Sequence, residues 1–255
     1  MQRRRRMCRA GGHLQLTFED ILRAYVALEQ GLNFNRLRMP GNADRMSDDL
    51  IVHAIGNYTG YDINVFEFDL YEQEVEKDIG RARDLYSKVH IFERDTLYAE
   101  IVLNSHKFSD GTDLVNYCWT RFCVVKEACQ VFIRHYFKDH HWDYPDTASL
   151  QQIDTLFKNL VRFKFSMEDF DNGQYPPDTK VENAAEIIAI LLLYPIENMA
   201  ADRKDLGAQL DRSAFSLDTN KLAEKRKVPE RYVDLFLTSE NFDRIHAKVI
   251  KLRES

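Results

Sequence analysis

The chain has 255 residues, 44% of them apolar and 30% charged, with a formal net charge of −6. That length and mix build a globular core big enough for one large domain, or for a domain with an appendage. The acidic balance disfavours a nucleic-acid binder, whose footprint is a basic patch, and the longest apolar run, Ile187 to Leu193, falls well short of the about 18 residues a membrane span needs.

Residues 1–16 carry Arg3 to Arg6 and Arg9 with no acid before Gly12, and read as a solvated basic arm. An upstream-extended start, with Met7 as the true beginning, and a targeting or nucleic-acid-binding arm are the alternatives. Thr17 can cap a helix that opens at Phe18, with Ile21, Tyr25, Leu28 and Leu32 at helical spacing. Pro40-Gly41-Asn42 breaks that pattern, and Ser47 opens a second helix that ends near Gly60. Ile63 to Phe68 is a short β-like run; Tyr71 to Ile79 returns to helix. Lys88 to Glu93 and Leu97 to Leu103 then form two strands around a turn at Arg94-Asp95-Thr96.

Asn104 to Thr112 reads as a polar loop, and Asp113 begins a long helix. Leu114, Tyr117, Cys118, Phe122, Val125, Cys129, Phe132 and Ile133 supply its apolar face. Four cysteines (Cys8, Cys118, Cys123 and Cys129) make no C-x-x-C, and no secretory signal is present, so reduced thiols in the cytoplasm are expected. Those on the long helix are offset by five and then six residues, do not share a face, and read as small core residues. His135, His140 and His141 raise a metal or pH-sensing alternative to solvated or core histidines. His135 lies nine residues beyond Lys126, half a helical circuit round, so the two do not share a site. Ser149 to Phe163 reads as helix and Asp169 to Pro177 as loop. Val181 to Leu193 is a strongly apolar helix with Glu182 and Glu186 on one face, ended by Pro195. Glu197 to Leu210 is helical. The run from Leu217 to Leu237 has helix-turn-helix spacing and reads as a packing unit rather than a DNA reader, and Phe242 to Leu252 closes the chain.

The chemistry sits on the long helix, in Lys126-Glu127-Ala128-Cys129-Gln130. The spacing is that of H-E-x-x-H, where two imidazoles four residues apart reach one zinc ion and the intervening Glu activates its water. Here Lys126 and Gln130 hold the two ligand positions. A protonated ammonium has no lone pair to give, and an amide oxygen suits hard cations better than zinc.

Three segments resemble the ImmA/IrrE family of zinc metallopeptidases. Tyr98 to Asn104 is similar to the strand before the family's catalytic helix; Arg121-Phe122-Cys123-Val124-Val125-Lys126-Glu127-Ala128-Cys129-Gln130 resembles R-F-T-x-A-H-E-x-x-H; and Glu182 to Pro195 resembles E-x-x-A-N-x-F-A-A-x-L-L-x-P. The resemblance implies an α+β, mostly helical, zincin-like fold over residues 17–200. A small twisted sheet would pack on the long central helix, and residues 201–255 would form a helical extension. It places Glu127 at the general-base position and Glu182 at the third metal ligand, with Lys126, Gln130 and Glu186 completing a pocket. Tyr98, Glu100, Val102 and Asn104 would line the groove wall, where an extended chain could add to a strand edge. With both His positions changed, no metal cofactor is expected; zinc belongs only to the alternative of an active peptidase. The expected function is that of a pseudo-peptidase from a bacterial prophage or mobile element, binding a protein or peptide partner such as a repressor without cleaving it. An altered hydrolase using Lys126, Glu127 and Glu182, and a DNA-linked regulatory module, are the alternatives.

Overall fold

A computed structural model describes residues 17–39, 42–68, 87–93, 96–104, 113–138, 177–210, 219–237 and 241–255. The basic arm, the helices expected at Tyr71 to Ile79 and Ser149 to Phe163, the loops at 105–112 and 169–176, and His140 and His141 lie outside the described residues. Helix α1 (Phe18–Gly31) begins where Thr17 predicts. The Thr17 hydroxyl accepts from the Asp20 amide at 3.2 Å, and Asp20 Oδ2 accepts from the Thr17 amide at 3.0 Å, a reciprocal capping box. Ile21, Tyr25, Leu28 and Leu32 are all buried, as their spacing requires. Between Leu32 and Ser47 lies structure that the sequence reading missed: a single helical turn, α2 (Phe34–Leu37), and a strand pair, β1 (Arg38–Met39) with β2 (Asn42–Met46). Asn-Ala-Asp-Arg-Met has no apolar alternation, so nothing in it announces a strand.

Ser47 caps α3 (Asp48–Thr59) by accepting from the Leu50 amide at 3.4 Å. Gly60 ends the helix in the left-handed region at φ 80°, a conformation that glycine adopts without a Cβ penalty. Strand β3 (Asp62–Phe68) follows at once. It pairs parallel with β5 (Tyr98–Asn104), which pairs antiparallel on its other side with β4 (Ser87–Phe92). The sheet order is therefore β3-β5-β4. Both backbone edges of β5 are used, so the expectation that Tyr98 to Asn104 would offer an edge to an added strand is corrected: β5 is the middle strand.

Helix α4 (Asp113–Tyr136) runs 24 residues across one face of this sheet. It is buried on all sides from Arg121 to Cys129, not on the single face that its spacing outlined. The sheet, α3 and α5 (Pro177–Leu193) all pack against it, which leaves no side of its middle turns to water. Pro177 opens α5 at a first-turn position, where its missing N–H costs nothing. Tyr194 and Pro195 then bend the chain by 67° into α6 (Ile196–Leu210). Among the described residues no single helix is long and apolar enough to cross a membrane.

The pair α7 (Thr219–Arg226) and α8 (Glu230–Leu237) buries Ala223, Val228, Tyr232, Val233, Phe236 and Leu237, and α9 (Asn241–Arg253) packs along α1. These residues join one continuous core with α1, α4 and α5. A boundary at 200/201 falls inside α6. The architecture is α+β and mostly helical, with a small mixed sheet laid on a long central helix.

Arg121 shows how tightly the parts are tied. Its side chain is fully buried on α4. Nε donates to Asp48 Oδ1 at 3.0 Å at the start of α3, Nη2 donates to the Met46 carbonyl, and Nη1 donates to the Lys227 carbonyl at 2.5 Å. One guanidinium thus holds the end of β2, the first turn of α3 and the last carbonyls of α7, where Lys227 turns with φ 56°. The rigid, five-donor fork of arginine suits such a junction.

Candidate functional site

Lys126 and Gln130 stand four residues apart on α4, so both project from one side of the helix. Glu182 comes from the facing side of α5, and the three side chains meet. Lys126 Nζ lies 2.9 Å from Glu182 Oε2 and 2.9 Å from Glu127 Oε1. Gln130 Nε2 donates to Glu182 Oε1 at 2.7 Å and to Glu127 Oε2 at 2.7 Å. An ionised carboxylate only accepts, so the amide nitrogen of Gln130 must be the end that faces them. The result is a closed ring: two carboxylates, bridged once by an ammonium and once by an amide. Ser87, the first residue of β4, adds a third donor to Glu127, with Oγ 2.6 Å from Oε1.

The ring is mostly removed from water. Lys126 is 9% exposed and Glu127 1%, while the Glu182 side chain keeps 22% of its surface. Burial alone would strip the proton from Lys126, but Glu127 and Glu182 outweigh it and hold the ammonium well above the usual lysine range. Burial pushes the Glu127 carboxyl up, with Glu182 adding to the rise, while Lys126 and Ser87 pull the other way. The two directions describe one state: a cationic Lys126 among carboxylates that hold an excess of negative charge. Glu186, one turn beyond Glu182, adds to that excess. Its side chain is 14% exposed and its carboxyl is raised to about 7, chiefly by burial; Arg231 on α8, 4.0 Å away, only partly offsets this. The Arg231 guanidinium lies over the rings of Trp119 and Tyr232 at 5.1 and 4.7 Å and donates to the Tyr232 hydroxyl at 2.8 Å.

All of the expected pocket residues are therefore together: Lys126, Glu127, Gln130 and Glu182 in the ring and Glu186 beside it. The expected groove wall is not part of this assembly. Ala99, Ile101 and Leu103 face the core on the α4 side of the sheet. Strand alternation puts Tyr98, Glu100, Val102 and Asn104 on the opposite face, away from the ring. His135 sits on α4 with its ring centroid 6.4 Å from that of Tyr58 on α3, remote from Lys126 as the half-circuit offset requires. Cys118, Cys123 and Cys129 are buried; burial holds the Cys123 thiol up at about 12 and that of Cys129 well above the usual range, so both stay protonated. Ser87, Arg231 and Tyr232 were missed in the sequence. They reach the site across long separations, and no local pattern marks them.

The donor set does not fit zinc. The two positions that would supply imidazoles present N–H groups to the centre, and the ammonium lies between the carboxylates where a cation would be bound. Among the described residues, no three His, Cys, Asp or Glu side chains gather in a way that could hold a metal ion. Three donors occupy the two oxygens of Glu127, and the residue is 1% exposed.

Two variants test these electrostatics. Lys126→Met removes the only cation from the ring and leaves two facing carboxylates. It should lower unfolding stability by about 2–4 kcal/mol at pH 8, and Lys126→Met/Glu127→Gln should recover more than half of that loss in urea titrations. For Glu186 the sign follows from linkage. Its folded-state proton affinity is raised, so its contribution is present at low pH and is lost as pH rises from the ordinary carboxyl range through about 7. Glu186→Gln should therefore flatten the pH dependence of stability across that window, and above pH 7 should be the more stable protein by up to about 3 kcal/mol. The chain matches no protein family, no curated protein and no solved structure, so the reading of this cluster stands on its geometry.

Proposed function

We propose that this chain is a pseudo-peptidase, a zincin-like frame of the ImmA/IrrE type that binds a protein or peptide partner without cleaving it. One observation carries the reading: the Lys126 ammonium is held at 2.9 Å from both Glu127 and Glu182, at the point where H-E-x-x-H chemistry requires a metal ion. The ring is complete within itself. Its cation is covalently attached, and its would-be base is saturated.

An altered hydrolase that uses Lys126 draws less support. A lysine base or nucleophile must reach its neutral form, and two carboxylates keep this one charged. A DNA-linked role draws less again. The buried side of α8 carries Tyr232, Val233, Phe236 and Leu237, while Glu230, Arg231 and Asp234 are exposed, a mixed and mainly acidic surface. The partner class that fits the reading is a protein or peptide, such as a repressor.

Metal content and turnover test the proposal together. Protein purified without added metal or chelator should hold far less than one zinc per chain by elemental analysis. Incubated with excess zinc, it should leave casein and unstructured peptides uncut over many hours. One zinc per chain accompanied by cleavage, with the cleavage abolished in Glu127→Gln, would reverse the reading.

A further inference from the structure

We propose that the exposed face of α9, together with the first turns of α1, docks an acidic amphipathic helix of the partner protein. The proposal rests on the partner-binding reading above and gives that reading a surface. Arg244, Lys248 and Lys251 follow one another at offsets of four and three. They therefore form a stripe along one side of α9, about 10 Å long at 1.5 Å per residue. Phe242, Ile245 and Val249 are buried on the other side and anchor the helix to the core. Arg253 fixes the end of α9 by donating to Glu29 of α1 at 2.6 Å and to Glu197 of α6.

The three cations have no carboxylate of their own. Other described cations do: Arg23 pairs with Glu19, Arg134 with Glu93, Arg203 with Asp243 and Arg253 with Glu29. Arg244, Lys248 and Lys251 form no ion pair among the described residues. Glu19, at the start of α1, is the acid that feels the stripe. Its carboxyl is held below the usual range first by the hydrogen bond from Arg23, and then by the charges of Arg23, Lys248 and Lys251. That acid already has Arg23 as its partner. The joint face of α1 and α9 thus carries a surplus of positive charge in a chain whose net charge is −6.

Shape and charge together name the occupant. Ala247, three residues after Arg244 and four before Lys251, is exposed beside the stripe, and Ile250, three further on, is 36% exposed. A small residue and an apolar one bordered by a charged row make half of a helix–helix contact. The apolar line lets a partner helix approach closely, and the charged row fixes its register and the choice of partner. Acids spaced three and four apart on that helix would face the stripe one to one. A phosphate backbone fits less well. It would run past the stripe onto Asp243 at one end and Glu254 at the other, both exposed.

The test uses the full chain with isotope-labelled amides and a synthetic helical peptide that carries glutamates three and four apart beside a line of leucine and alanine. Amide shifts should concentrate at residues 18–23 and 243–254. Binding should weaken about tenfold between low salt and half-molar salt. Lys248→Glu/Lys251→Glu should weaken it about tenfold and turn the preference toward the same peptide with lysine in place of glutamate. Equal binding of the two peptides by the native chain, or no binding at millimolar peptide, would overturn the proposal, and that comparison holds whether or not the variant folds. Tighter binding of a DNA duplex or of phosphatidylserine vesicles at the same residues would overturn it as well, by giving the surface to another anion. Shifts at residues 126–130 and 182–186 instead would remove the α9 surface and leave the partner-binding reading standing. Cleavage of a peptide bound at α9 would sink the pseudo-peptidase reading and leave the surface.

Discussion

The site depends on one buried positive charge. Two carboxylates, Glu127 from α4 and Glu182 from α5, are brought face to face by the packing of the two helices, and the Lys126 ammonium lies between them at 2.9 Å from each. Without it the helices would press like charges together in a medium that screens them poorly. With it they are joined, and Gln130 closes the ring from the other side. A divalent ion would neutralise two carboxylates; an ammonium neutralises one. The remainder shows in the raised proton affinity of Glu127 and in the three neutral or charged donors gathered round it.

Helix α4 carries a second buried cation, Arg121, five residues before the first. The two divide the work of assembly. Arg121 reaches outward to Met46, Asp48 and the Lys227 carbonyl, and so ties the strand pair, α3 and the turn after α7 to the central helix. Lys126 reaches across to α5. Buried ion pairs of this kind add little net stability over a well-packed apolar substitute, yet removing one partner is costly. Their value here is in register: each fixes which turn of α4 meets which neighbour. A different buried pair does the same further along the chain, where Asp202 of α6 accepts from Arg226 of α7 at 2.7 and 2.9 Å and from the Tyr194 hydroxyl at 2.7 Å.

Much of this was legible in the residues. Thr17, Ser47 and Gly60 mark helix ends by chemistry that is local, and the structure puts the ends there. The offset of four between Lys126 and Gln130 sets them on one side of α4 whatever surrounds it. Glu182 joined them through the likeness of its helix to a known motif, and through that alone. Other features were beyond reach because they depend on partners far away in the chain. Tyr98 to Asn104 reads equally well as an edge or a middle strand. Its central place follows from the parallel pairing with β3, which no local pattern encodes. Ser87 and Arg231 are ordinary polar residues until the fold sets them beside Glu127 and Glu186. The strand pair at Arg38 to Met46 has no apolar alternation to read. The amphipathic helices α7 to α9 look self-contained in sequence, yet their apolar faces complete the core built by α1, α4 and α5.

The central claim is that positions 126, 130 and 182 converge as three ligand seats, one of them now filled by an ammonium. Placing imidazoles at 126 and 130 tests this most directly. Lys126→His/Gln130→His, checked for folding by circular dichroism, should bind one zinc ion per chain in a competition titration with a chromophoric chelator, and the added Glu182→Gln should weaken that binding by about 10-fold or more. A folded double variant that takes up no zinc would contradict the account, because the three positions would then not share a centre.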